Sequence, residues 1–275
     1  IPRSDRASGF ARPGAAPDDV RKVVELILAA ERPAFFVGHG VTLAEAGPEL
    51  TRVAEVLNIP VITSPNGMGT VPAHLSLGFI GRNGAYPANQ AGRHADLVIT
   101  IGTRFDDRSS SSWFPGYSWN FPKTRLIHVD LDPQELGRNY PPTLGIIADA
   151  KVFSAQLLNA LGLREQRGAA SLKKQYSEWR AEVEAWRKEW EAFVRPNFGK
   201  LTTPLRPEYV VDALQKVLPD DAIHVNETIT LNGADDDVNG YFRNYDPELF
   251  APLKNTTTIA KLALLDEDGL NQFFK

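Results

Sequence analysis

"LVITIGTRFDDR", residues 97–108, runs from an apolar stretch straight into a heptad holding two arginines and two aspartates. A short apolar run without alternation reads as a strand buried on both faces, the pattern of a parallel sheet. Gly102 ends the strand, so the charged residues emerge at its carboxyl end. There they either meet a ligand or cap the next segment and pair among themselves.

Working outward, the same unit recurs. Val20, Val23, Val24, Ile27 and Leu28 have helical spacing behind Asp18 and Asp19, which suit the positive end of a helix. Ala34–Val37 reads as a strand stopped by Gly38-His39-Gly40, with a helix over Pro48–Leu57. Further strands are predicted at Pro60–Thr63, Arg125–Val129 and Leu144–Ile147, and helices near Ala88–His94 and Val152–Leu161. Strands alternating with helices imply an α/β fold, a doubly wound parallel sheet of Rossmann-like form with five or six strands and helices on both faces.

After Gly168 a charged helix is predicted over Ser171–Val194, with Trp179, Trp186, Trp190 and Phe193 on one stripe that reads as a packing face. It is taken as a bridging helix. A second α/β unit then begins with helix Glu208–Val217, strand Ala222–Val225 and a polar exit at Asn226-Glu227-Thr228. Its rhythm stops after Gly233, so the unit is read as incomplete or remodelled. The expected organisation is a linker at 1–16, a central nucleotide-binding domain at 17–165, the bridging helix at 166–200 and the partial unit at 201–275. The linker-like opening leads to the expectation of a portion of a longer polypeptide.

Composition narrows the function. The 275 residues are 43% hydrophobic, with 30 basic against 34 acidic side chains and a net charge of −4, which offers no track for a nucleic acid. The chain has no cysteine, which removes disulfides, thiolate metal sites and cysteine nucleophiles. A reducing cytoplasm is the expected location. No apolar stretch approaches the roughly 20 residues that span a bilayer, so no membrane partner is expected.

In an open parallel sheet, ligands sit beyond the carboxyl ends of the strands. The polar stretches fall there: Gly38, His39 and Gly40 after the first strand, Gly67, Met68 and Gly69 after the second, Gly102 to Arg108 after the third, then Asp130 and Asp149. Glycines admit close approach to phosphate, arginine supplies a planar cationic fork, and strand-end aspartates suit ribose hydroxyls. Together they describe a nucleotide site. Leu43 stands where a GxGxxG motif needs its third glycine, which disfavours a nicotinamide-dependent enzyme on this sheet. His128 is read as a packed core histidine. No Ser-His-Asp, HExxH or GxxxxGK[ST] pattern is present, so hydrolytic, zinc-protease and P-loop chemistry lack support.

The runs "FFVGHGV", "TSPNGMGTVP", "LGFIGRNG", "ADLVITIGTRFDDR" and "RLIHVDLDPQELGRNYPPTLGIIADAK" together resemble the central domain of thiamine-diphosphate enzymes of the acetolactate synthase type, over most of residues 17–162. The resemblance implies a domain that binds FAD, or ADP as in related enzymes. It assigns Gly38, His39, Gly40, Gly67, Met68, Gly69, Gly81, Gly102, Thr103 and Arg104 to backbone or phosphate contacts. Asp106 and Arg108 are placed near the flavin, and Asp130 and Asp149 near the ribose or adenine. "PLRPEYVVDALQKVLPDDAIHVNETIT" is similar to the start of that family's diphosphate-binding domain, with Asn226, Glu227 and Thr228 near thiamine diphosphate. In the complete enzyme the resemblance implies thiamine diphosphate with Mg²⁺, a 2-oxo acid substrate, and a homo-oligomer, dimer or tetramer. The family's activating glutamate and its Gly-Asp-Gly…Asn metal motif are not found in this sequence, so no catalytic or metal-ligating residue is assigned and the chain alone is expected to be inert. The alternative is a freestanding nucleotide-binding module.

Overall fold

The computed structural model describes residues 11–110, 116–165, 172–203 and 207–217. The chain divides into two units, Ile1–Glu191 and Ala192–Lys275. The first holds a six-stranded sheet: β1 (Pro33–Val37), β2 (Val61–Thr63), β3 (Ser76–Phe79), β4 (Leu97–Ile101), β5 (Arg125–Asp130) and β6 (Leu144–Ile147). Every pairing is parallel and the strand order is β3-β2-β1-β4-β5-β6. β1 and β4 are buried along their whole length, as their unbroken apolar runs require. The sheet turns from one winding direction to the other between β1 and β4, so a crevice opens at their carboxyl ends.

Two cores cover its faces. On one, α1 (Pro17–Leu28), α3 (Gly47–Leu57) and α6 (Ala150–Glu165) bury Val23, Ile27, Leu50, Val53, Leu57, Phe153 and Leu157 against Phe35, Val37, Ile99 and Ile127. On the other, α4 (Tyr86–His94) brings Ala88 and Ala91 onto Phe36, Ile62, Val98 and Leu126, joined by Phe105, Trp119, Trp179 and Val183. The doubly wound reading is thereby met.

The elements differ from the sequence reading in several places. β3 is additional, and Gly78 within it has φ 81°, which breaks any strand pattern. The Gly38-His39-Gly40 stretch is not a plain turn: His39–Leu43 forms a short helix, α2. α6 starts two residues earlier than its apolar pattern, because Asp149 caps it. The helix read over 171–194 is broken into α7 (Leu172–Gln175) and α8 (Ser177–Phe198).

Tyr176 stands at the break. Its ring is fully buried and its hydroxyl donates to Ile27 O at 2.6 Å, a carbonyl in the last turn of α1. Burial, with Asp96 nearby, pushes its phenol well above the ordinary range, so the hydroxyl stays a donor. Around it, Gln175 Nε2 donates to Leu28 O, and Trp179 Nε1 to Pro33 O. Arg180 reaches His74 O, while Arg187 reaches Ala73 O and Ser76 O. The tryptophan stripe thus packs at Trp179, and polar side chains of this segment reach carbonyls at the end of α1, at the starts of β1 and β3 and in the loop before β3. Tyr176→Phe is expected to cost about 0.5–1.5 kcal/mol, the net contribution of one hydrogen bond, because Ile27 O keeps the Ala30 N–H as a donor; urea unfolding measures it.

In the second unit α9 (Pro207–Val217) is described, with Lys216 paired to Asp212 at 2.7 Å. The predicted strand at Ala222–Val225 and the polar exit lie outside the described residues.

Candidate nucleotide site

The exits of β1 and β4 meet backbone to backbone. Gly38 N donates to Ile101 O and Gly40 N to Gly102 O, both at 3.0 Å. A Cβ on Gly38 would stand 2.2 Å from Gly102 O, so no other residue fits. The β2 exit joins them, because Ser64 N donates to Val37 O and Thr42 Oγ1 reaches Asn66 O at 3.3 Å. His39 Nδ1 lies 3.4 Å from the same carbonyl. The glycine amides that the sequence offered to a phosphate are therefore largely engaged within the protein. Gly102 N bonds Val129 O, Gly67 N bonds Ser64 O, and Gly81 is held at both its N–H and its C=O by Asn89.

Beyond Gly102 the charged heptad takes a shape set by its one aromatic residue. Phe105 turns inward with φ 52° and is 1% exposed. A left-handed turn costs a residue with a Cβ roughly 1–2 kcal/mol. The ring offsets that by packing on Phe36, Trp119, Phe121, His128 and Tyr140, with centroids 5.2–5.9 Å away. With Phe105 inward, Arg104 before it is exposed, and among the described residues its guanidinium has no hydrogen bond or ion pair. Asp106 Oδ1 accepts from Ser109 N at 2.9 Å and Ser109 Oγ at 3.0 Å, and so caps α5 (Asp107–Ser110). Arg108 belongs to that helix, and its side chain lies outside the described residues.

His128 supports this loop from β5. It is 2% exposed, and its Nε2 donates to Thr103 O at 3.1 Å, which fixes the tautomer and leaves Nδ1 without a partner. Thr100, its register partner on β4, likewise has a buried Oγ1 without one. Burial pushes the His128 imidazole below its ordinary value, against the raising influence of the Thr103 carbonyl, Asp130 and Glu135. The core reading of His128 holds.

Asp130 ends β5 with a half-buried carboxyl that burial pushes upward. Asp149 has another occupation: its Oδ1 caps α6 through Lys151 N and Val152 N, and Oδ2 lies 3.7 Å from Arg12 Nη1. An open groove of about 780 Å³ runs beside the exits between α2, α3 and residues 68–72, and Met68, Gly69 and Lys151 line it.

The structure therefore gathers Gly38, Gly40, Gly102, Thr103 and Arg104 at the crevice, with His39, Gly67, Met68 and Gly69 alongside, while Asp106 and Asp149 cap helices. Asn226, Glu227 and Thr228 lie outside the described residues. Two residues that shape the site escaped the sequence reading: Phe105, whose signal is a lone aromatic in a charged run, and Asn139, which bonds the heptad from 35 residues away. Among the described residues no group of three or more His, Cys, Asp or Glu is placed to hold a metal ion, and no helix is long and apolar enough to cross a membrane.

Residues 20–161 match the family model described as thiamine pyrophosphate enzyme, central domain. The chain is 30% identical over 240 residues to a probable acetolactate synthase large subunit of Methanococcus aeolicus, covering 85% of this chain and 39% of that protein. It is 38% identical over 205 residues to a probable acetolactate synthase 2, chloroplastic, of Oryza sativa subsp. japonica, covering 74% and 29%. The acetolactate synthase large subunit of Haemophilus influenzae is 32% identical over 203 residues, covering 72% and 33%. The chain spans about a third of the length of these relatives. With a sheet wound about the β1–β4 switch point and a match over the whole of that sheet, the chain belongs to the thiamine pyrophosphate enzyme family and carries its central domain at residues 20–161.

Proposed function

We propose that this chain is the nucleotide-binding central part, with the start of the diphosphate-binding part, of a thiamine-diphosphate-dependent carboligase or decarboxylase of the acetolactate synthase type acting on 2-oxo acids. In such an enzyme thiamine diphosphate, held with Mg²⁺, supplies the electron sink for breaking and making carbon–carbon bonds beside a carbonyl. Asn226, Glu227 and Thr228 would lie near it. The chain by itself is read as inert, and the whole enzyme as a homo-oligomer. The boundaries 17–165, 166–200 and 201–275 remain the proposed division into central domain, bridging helix and partial diphosphate-binding domain.

For the central domain the proposed ligand is FAD or ADP. The observation that carries this is Arg104: an exposed guanidinium without a protein partner among the described residues, at the mouth of the switch-point crevice. Its neighbours fit an anionic nucleotide, since Asp130 stands at the next strand end for a hydroxyl and a Cβ on Gly69 would meet nothing within 4 Å. Charge-assisted hydrogen bonds to phosphate are each worth roughly 1.5–3 kcal/mol, against about 0–1 kcal/mol for an exposed ion pair within the protein. Arg104→Ala is therefore expected to weaken FAD or ADP binding at least tenfold while the fold survives. Calorimetric titration of parent and variant with each nucleotide checks this. Equal affinities would take Arg104 out of the site, and a parent chain that binds neither nucleotide would end the reading.

A further inference from the structure

Three consecutive carbonyls in the heptad are held by side chains from the β5 region. His128 Nε2 donates to Thr103 O, and Asn139 Nδ2 donates to both Arg104 O at 2.9 Å and Phe105 O at 3.1 Å. A single amide bridging two successive carbonyls fixes the peptide planes on either side of Phe105, the residue whose φ of 52° forces the chain to reverse. Asn139 is exposed and makes no other hydrogen bond among the described residues. A solvated asparagine adds little to stability, so its two bonds act mainly on the shape of the loop.

We propose that Asn139 is a positioning residue that holds the Thr103–Phe105 turn so that the Arg104 guanidinium is presented, already ordered, to a phosphate group in the crevice. This rests on the reading of Arg104 given above. Ordering the loop before the ligand arrives removes part of the entropy lost on binding. His128 supports the same turn from beneath, but it is buried, and replacing it would disturb the core as well as the loop. Asn139, being exposed, isolates the effect. Asn139→Ala removes the donor; Asn139→Gln keeps it on a side chain one methylene longer, with solvent space to accommodate the length.

The test combines two measurements on the full 275-residue chain: backbone ¹⁵N relaxation without ligand, and calorimetric titration with ADP. In the parent, the amides of Arg104 and Phe105 are expected to have order parameters of about 0.85, falling to about 0.6 or lower in Asn139→Ala. ADP affinity is expected to fall roughly three- to tenfold in that variant, a coupling of the size found between groups sharing a network, and Asn139→Gln is expected to restore both readouts. In an Arg104→Ala background, Asn139→Ala is expected to change ADP affinity by less than about twofold, because the two substitutions act through one group. Unchanged order parameters in Asn139→Ala would overturn the proposal. So would an equal affinity loss with and without Arg104, which would mark a general structural effect. A parent chain that binds no ADP defeats the phosphate half of this proposal, and one that binds neither ADP nor FAD defeats the Arg104 reading as well, while the relaxation data still decide whether Asn139 holds the turn.

Discussion

Phe105→Ala is expected to lower the free energy of unfolding by about 3–5 kcal/mol, the range for emptying a buried phenylalanine site. The ring is the hub of the core on its face of the sheet, within 6 Å of five other rings, and Trp119 Nε1 ties the same cluster to Ser109 O at 3.0 Å. A second substitution separates packing from backbone strain. Glycine is ordinarily less stabilising than alanine by about 0.5–1 kcal/mol. At a φ of 52° the order is expected to reverse, with Phe105→Gly more stable than Phe105→Ala by about 1 kcal/mol, because alanine retains the cost of the left-handed turn. Urea unfolding followed by tryptophan fluorescence reads both. Alanine proving the better replacement would mean that the turn is not held in this conformation.

Gly38→Ala is expected to cost about 3 kcal/mol or more, at the upper end of overpacking effects. The methyl would meet Gly102 O at 2.2 Å and Thr103 Cα at 2.8 Å, and backbone atoms cannot swing away as a flexible side chain does. Relief requires the β1 and β4 exits to part, which breaks the bond from Gly40 N to Gly102 O and moves Arg104. Nucleotide affinity should therefore fall together with stability. Gly69→Ala is the contrasting case: φ is 81° but nothing lies within 4 Å, so the expected cost is only the backbone term, about 1–2 kcal/mol. Comparable losses in both variants would show that the crossing of the two exits is not tight.

The strands at the centre were legible because each is buried on both faces and so had to be written as an unbroken apolar run, from Ala34 to Val37 and from Leu97 to Ile101. β3 lies at an edge, buries only Leu77, and has no such run to display. The gathering of exits followed from parallel winding alone. What each exit residue does was less legible. An aspartate directly before a helical segment is an N-cap signal that the sequence carries at both Asp106 and Asp149, and the structure shows each capping. At Gly38, Gly40 and Gly102 the space that a Cβ would take is occupied by the neighbouring exit's backbone, a constraint that no local pattern displays. Phe105 and Asn139 had no local signal of comparable strength, since their partners lie on other strands and loops and only the closed sheet brings them together.

The arginine contacts of α8 bear on how this sheet avoids its own kind. An open sheet ends in a strand whose outer backbone groups invite another strand, and short or obstructed edges resist that invitation. β3 is four residues long, and its polar groups are already claimed from several sides. On the outer side, Ser76 O is taken by Arg187, and Gly78 N donates to Ser76 Oγ. An incoming strand would have to displace a guanidinium and undo a local turn before forming its first ladder bond. The helix that follows the sheet in sequence thus shields the margin that an isolated sheet would leave open to edge-to-edge association.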